Sequence, residues 1–247
     1  MGVLKNKVIL ITGAAKRIGA CTARLLHAQG ANLILHYGNS EEAALKLQEE
    51  LCNQRASSVR LIKGDLAHIN KIKISIRHTL GELGRLDALI NNASSFFPTP
   101  IASTTEDQWQ KIFDANLKAP FFLAQTTAPY LKKSNGSIIN IVDIYAQRPL
   151  QDHPVYSASK AGLASLTQSL AAELGPEIRV NGVSPGAILW PESNADEVAQ
   201  QRMISRTPLK RVGDPGDIAN TILFLLTQAP FITGQIINVD GGRTVIP

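Results

Sequence analysis

Val8-Ile9-Leu10-Ile11-Thr12-Gly13-Ala14-Ala15-Lys16-Arg17-Ile18-Gly19 is the stretch on which the fold turns. Four consecutive apolar residues, mostly β-branched, read as a strand buried on both faces. The small residues after them let the backbone turn tightly, and apolar positions at helical spacing begin at Ile18. A strand, a small-residue turn and a helix open a βαβ unit, and the helix N-terminus at such a turn favours the charge of a pyrophosphate. The loop departs from the G-x-G-x-x-G pattern, because Arg17 stands where a middle glycine would. An arginine there can fork onto phosphate oxygens or reach an anionic substrate.

The alternation continues along the chain. Short runs rich in Val, Ile and Leu lie at residues 8–11, 32–36, 59–63, 88–90, 137–142, 178–183 and 235–239. Segments with helical periodicity lie between them, at about 18–29, 40–52, 68–83, 105–132, 155–174 and 214–226. Runs apolar on both faces and separated by helices predict one α/β domain over residues 1–247: a Rossmann-like, doubly wound sheet of about seven parallel strands with helices on both faces. Periodicity fails only around residues 187–208, where Trp190-Pro191-Glu192-Ser193-Asn194 precedes a short helical piece. That segment follows a strand's carboxyl end, which makes it a candidate cover for the substrate. Trp190 is placed either to flank the substrate or to anchor the loop.

Composition narrows the function classes. The 247 residues are 44% hydrophobic and 18% charged, which excludes disordered and fibrous classes. No apolar run approaches the roughly 20 residues that span a bilayer, and residues 1–7 are too short for a secretory signal. Cys21 and Cys52 lack metal-ligand spacing, and the five histidines are scattered, so no metal site is expected; free thiols and a cytoplasmic location are the default. The net charge of +5 is not gathered into a stripe or interleaved with aromatics, so neither nucleic acid nor membrane is an expected partner. A modest positive field suits phosphorylated cofactors and anionic small molecules.

Two further segments carry chemistry. His36-Tyr37-Gly38-Asn39-Ser40 ends the second strand without the Asp or Glu that holds the adenosine ribose in NAD sites. Nothing there repels a 2′-phosphate, and Asn39 and Ser40 can donate to it, so NADPH is the expected cofactor; Lys16 and Arg17 are candidates for the cation. Tyr156-Ser157-Ala158-Ser159-Lys160 heads a long helix, with Asp143 thirteen residues before the tyrosine. Residues four apart share a helix face, and an ammonium near a phenol is expected to lower the phenol's pKa toward the working range.

With the loop, the Tyr156–Lys160 pair and Asn91-Asn92-Ala93 in view, the chain resembles the short-chain dehydrogenase/reductase family over essentially its whole length. The likeness includes Asp65, Asn116 in a mid-chain helix, Ser184-Pro185-Gly186 after the sixth strand, Gly234 and Asp240-Gly241-Gly242. The resemblance implies that Asp65 sits at the adenine, that Asn92 and Ala93 border the cofactor, and that Asn116 helps organise a proton relay. Tyr156 is then the acid-base group and Lys160 binds the nicotinamide ribose. Most members of the family have a serine where this chain has Asp143.

That departure, with Asn92-Ala93-Ser94-Ser95-Phe96-Phe97-Pro98 and the loop arginine, is similar to the pteridine reductases within the family. The likeness implies that Phe96 stacks a flat pterin against the nicotinamide, while Ser94 and Arg17 hydrogen-bond pterin and cofactor. It implies Asp143, Tyr156 and Lys160 as catalytic residues and Arg17, Ser94, Phe96, Asp143 and Tyr156 as substrate contacts. The implied cofactor set is Gly13, Arg17, Ile18, Gly19, His36, Tyr37, Asn39, Ser40, Asp65, Leu66, Asn92, Ala93, Ser94, Lys160, Pro185, Gly186 and Ile188. His153 is a candidate to border the pocket, and the family likeness suggests a homotetramer. The expectation is thus an NADPH-dependent reductase of pterins or dihydrofolate. The rivals are a carbonyl or 3-oxoacyl-thioester reductase and a catalytically silent cofactor-binding sensor.

Overall fold

The computed structural model describes residues 2–188 and 197–246. The strands are β1 (Val8–Ile11), β2 (Asn32–Tyr37), β3 (Val59–Lys63), β4 (Ala88–Asn91), β5 (Ser137–Ile141), β6 (Arg179–Pro185) and β7 (Ile236–Val239). The helices are α1 (Arg17–Ala28), α2 (Glu41–Gln54), α3 (Ile69–Leu83), α4 (Glu106–Phe113), α5 (Ala119–Ser134), α6 (Pro154–Leu174), α7 (Glu197–Ser205) and α8 (Pro215–Thr227). The strands form one sheet in the order β3-β2-β1-β4-β5-β6-β7, and every pairing is parallel.

The apolar runs explain why. All four residues of β1 are buried, and the pleat sends alternate side chains to opposite faces. Ile9 and Ile11 pack with Ala23 and Leu26 of α1 and Ile218, Ile222 and Leu225 of α8. Val8 and Leu10 pack with Ile72, Ile76 and Leu80 of α3 and Leu123 of α5. A strand that is apolar at every position needs a helix layer on each side, and the crossovers between parallel strands supply both.

Strand order reverses between β1 and β4, which opens a crevice at their carboxyl ends. The two loops leaving that point are stapled together. Thr12 Oγ1 accepts hydrogen bonds from the backbone N–H groups of Asn92 and Ala93, both at 3.0 Å. Asn92 Nδ2 returns bonds to the carbonyls of Thr12 and Gly13, both at 2.9 Å.

Three departures from the sequence expectation have physical causes. The helix expected over 105–132 is interrupted by a π-turn at Asp114–Lys118, because Asn116 is drawn into a polar network described below. Ser184 and Pro185 belong to β6 rather than to the loop after it, because the register with β7 runs on through Ser184 opposite Asn238 and Pro185 opposite Val239. Of the irregular stretch 187–208, residues 197–205 form α7, whereas Trp190 and the rest of 189–196 lie outside the described residues, so the expected cover is not placed.

At Gly19 an added Cβ would lie 2.4 Å from the Gly13 carbonyl oxygen and 2.7 Å from Asn92 Nδ2. Gly19→Ala is therefore expected to cost about 1–3 kcal/mol of stability by forcing the turn apart. Urea denaturation measures it, and an unchanged midpoint would contradict the close approach.

Candidate active site

Tyr156 and Lys160 lie one turn apart on α6 and are almost wholly buried, at 4% and 2% exposure. Asp143 ends the loop after β5 and caps a short 3₁₀ turn, its Oδ1 accepting from the Tyr145 N–H at 2.9 Å. Its Oδ2 accepts the Tyr156 hydroxyl at 2.7 Å. Lys160 Nζ donates to the Ile141 carbonyl at 2.8 Å and stands 5.8 Å from the centre of the Tyr156 ring.

The electrostatics correct the sequence expectation for the tyrosine. Burial, then the charge of Asp143 and the hydrogen bond to it, push the phenol well above its ordinary value, while a contact with Ser94 pulls slightly the other way. Desolvation also raises Asp143, and it holds Lys160 down to about 8 against the pull of Asp143. A phenolate facing a carboxylate would place two negative charges on one hydrogen bond. The shared proton therefore stays on Tyr156, and the lysine offsets the carboxylate rather than stripping the phenol.

Asn116 ties this corner to the loop after β4. Its Oδ1 accepts from Ser94 Oγ at 3.1 Å and from the Ser95 N–H at 2.7 Å. Its Nδ2 donates to the Ser95 carbonyl and to Ser159 Oγ, both at 3.0 Å. Ser159 in turn donates to the Tyr156 carbonyl. The π-turn re-aims one residue of an otherwise regular helix so that a single amide meets all these partners. Phe96, on the same loop, is 53% exposed and meets the Tyr156 ring edge-on, with centroids 4.7 Å apart at 83°.

At the phosphate end, Gly13 has φ +60° and Arg17 has φ +52°. Arg17 thus occupies the glycine position with glycine-like backbone, a conformation that costs an arginine about 1–2 kcal/mol. His36 braces the loop from beneath: Gly13 N–H approaches its Nδ1 at 3.5 Å, and its Nε2 donates to the Gly64 carbonyl at 3.0 Å. Burial lowers its pKa to about 4, so it stays neutral, with the proton on Nε2. The Tyr37 ring is buried and its hydroxyl donates to Glu41. The side chains of His36 and Tyr37 thus brace the turn after β1 and the end of β2 from within the protein. Asn39 is exposed, and Ser40 precedes α2 without capping it. Asp65 caps the turn that begins at Leu66. Pro185 and Gly186 follow at the carboxyl end of β6, and an added Gly186 Cβ would meet Asp240. Ile188 lines a cavity with Thr207, Leu209 and Arg211.

Sequence reading missed one charge at this corner. Register pairs Tyr37 with Lys63, and Lys63 Nζ lies 2.7 Å from a Glu41 carboxylate oxygen. Only the strand pairing brings a residue from the end of β3 beside the end of β2. Among the described residues, no cluster of His, Cys, Asp or Glu is arranged to hold a metal ion, and no helix is long and apolar enough to cross a membrane.

Turnover at this site is expected to fall as pH rises through about 8, where Lys160 loses its proton. Asp143 raises the lysine's pKa, so Asp143→Asn should move that alkaline limb to lower pH. A kcat/KM profile against pH checks it, and a limb that stays in place or moves up would contradict the coupling.

A family profile described as Enoyl-(Acyl carrier protein) reductase matches residues 13–244. The 3-oxoacyl-[acyl-carrier-protein] reductase FabG of Staphylococcus epidermidis is 36% identical over 242 residues, covering 96% of this chain and 98% of its own. The protein of the same name from Thermotoga maritima is 35% identical over 248 residues, covering 98% and 99%. The crystal structure of a short-chain dehydrogenase/reductase (glucose/ribitol dehydrogenase) from Brucella melitensis superposes with a TM-score of 0.89 at 31% identity, covering 98% of both chains. With the parallel seven-stranded sheet and the Tyr156–Lys160 pair, these likenesses show that the chain belongs to the short-chain dehydrogenase/reductase family of oxidoreductases.

Proposed function

We propose that the chain is an NADPH-dependent pteridine reductase that takes dihydropterins or dihydrofolate to their tetrahydro forms. The observation that carries the reading is the 2.7 Å hydrogen bond from Tyr156 to Asp143, at the position where most of the family has a serine. Reduction of a ketone builds negative charge on its oxygen, and a carboxylate facing that oxygen opposes the charge. Reduction of a ring C=N bond instead needs a proton delivered to nitrogen, and the N–H groups of a pterin suit a carboxylate acceptor. The exposed Phe96 ring beside Tyr156 offers the flat face on which such a heterocycle stacks.

The residues present fit a dinucleotide: Gly13 and Gly19 let the first turn pack tightly on Ala93 and Asn92 ahead of the α1 N-terminus, and the stapled loops open at the switch point. The bound cofactor would supply the hydride. Lys160 would hold the nicotinamide ribose from its buried place on α6. Tyr156 keeps a proton ready, Asp143 holds that proton in line, and Asn116 fixes the Ser94–Ser95 backbone against both. Lys63 is the candidate cation for a 2′-phosphate, with Glu41 holding it in wait. Trp109 and Phe121 are exposed on α4 and α5, and Phe224 and Phe231 near α8. Two separate apolar surfaces are what a homotetramer with two kinds of contact requires.

The names of the FabG relatives favour a second reading, a 3-oxoacyl-thioester reductase. NADPH oxidation followed optically with dihydrobiopterin, dihydrofolate and an acetoacetyl thioester separates the two. Turnover confined to the pterins is expected, and turnover of the thioester alone would overturn the proposal. Asp143→Ser should depress pterin turnover at least about tenfold, the value of one lost charge-assisted hydrogen bond, while NADPH affinity stays nearly intact. Equal loss of both would remove Asp143 from the chemistry. For the cofactor, Lys63→Ala should weaken 2′,5′-ADP about fivefold to tenfold by calorimetry and leave 5′-ADP unchanged. Equal effects on both ligands, or none on either, would dismiss Lys63 as the phosphate contact.

A further inference from the structure

Phe96 is held by more than its own loop. The His153 ring lies parallel to it, with centroids 4.7 Å apart and planes at 13°. That spacing leaves no room for a third ring between them. One face of the phenyl is therefore covered by His153 and the Tyr156 ring stands nearly perpendicular to it, yet half of the residue is still exposed. A flat ligand can stack on Phe96 only from the side away from His153.

The imidazole is itself locked. Its Nδ1 lies 2.8 Å from the Gln151 carbonyl, so that nitrogen carries a proton and donates it. The turn holding His153 is fastened to the Phe96 loop: Thr99 N–H donates to the Asp152 carbonyl at 2.6 Å, and Val155 N–H to Thr99 Oγ1 at 3.4 Å. Asp152 adopts φ +58°, a left-handed backbone that turns the chain between this bond and the histidine. His153 then precedes Pro154 at the start of α6, and its carbonyl accepts from the Ser157 N–H. The stacked imidazole and the Tyr156 phenol thus leave the same helix start, and the plane of Phe96 is referred to the acid-base group through His153.

We propose that His153 is a substrate-positioning residue, which fixes the phenyl plane of Phe96 so that a flat heteroaromatic ring stacks on its open face within reach of Tyr156. The inference rests on the pterin reading and adds to it the residue that sets the stacking geometry. Without the imidazole, the phenyl would have to be ordered each time a ligand bound, which weakens binding and leaves the chemistry untouched.

The test is steady-state kinetics with dihydrobiopterin at saturating NADPH, on wild type, His153→Ala, His153→Phe, His153→Gln, Phe96→Ala and the Phe96→Ala/His153→Ala pair, with thermal unfolding of each. His153→Ala should raise KM about threefold to tenfold, the worth of one aromatic pair, and leave kcat within about twofold. His153→Phe should restore KM and His153→Gln should not, because the plane and not the hydrogen bond carries the role. The double variant should be no worse in KM than Phe96→Ala alone. An unchanged KM in His153→Ala, additive losses in the pair, or rescue by Gln but not Phe would overturn the proposal. If His153→Ala does not fold, the contrast between Phe and Gln decides. Absence of turnover with both dihydrobiopterin and dihydrofolate in wild type would overturn the pterin reading and this inference together; where only dihydrofolate turns over, the same series is run on it. Wild-type turnover with a normal His153→Ala would overturn this inference alone.

Discussion

Three ionisable side chains, Asp143, Tyr156 and Lys160, share one largely buried corner, and keeping them there is the demand that the surrounding structure meets. An unpaired buried charge costs several kcal/mol, so each group needs a partner with good geometry. The phenol and the carboxylate satisfy one another through a single proton, and the lysine finds a backbone carbonyl. The carboxyl ends of β5 and β6 and the first turn of α6 must then stay in fixed relation. A parallel sheet buried on both faces provides that rigidity, which a loop-built site would lack.

The interruption at Asp114–Lys118 follows from the same demand. A regular helix would hold the Asn116 amide inside its own turn geometry. With one residue bulged, the amide reaches the Ser94–Ser95 backbone and Ser159, and through Ser159 the Tyr156 carbonyl. The loop after β4, the mid-chain helix and α6 are thus joined by four polar contacts around one side chain. Networks of this kind are strong only when every member is satisfied.

Much of the fold was legible in the sequence because it is written in local pattern. Val8–Ile11 is apolar at every position, which only a doubly covered strand needs, and Ser137–Ile141 is buried throughout with Ser137 and Asn140 as its polar exceptions. The i, i+4 spacing likewise put Tyr156 and Lys160 on one face. What escaped was what depends on contacts between distant segments. The π-turn answers to partners more than 20 residues away. Lys63 comes beside the end of β2 only through the β2–β3 register. The tyrosine's pKa was read with the wrong sign because spacing reveals the ammonium but not the depth of burial. Burial and the neighbouring carboxylate outweigh that ammonium.

Fold and sequence likeness place the chain in the short-chain dehydrogenase/reductase family, with relatives that carry the name FabG. The site places a carboxylate where a carbonyl reductase wants a neutral donor. Fold does not decide function, and the difference rests on the side chain at one position. Asp143 therefore holds the Tyr156 proton rather than helping to remove it. Ultraviolet titration of phenolate formation in wild type, with Tyr156→Phe as the difference reference, tests that most directly. The Tyr156 phenolate should appear only above the ordinary value of 10.0. A Tyr156 phenolate forming below that pH would contradict it.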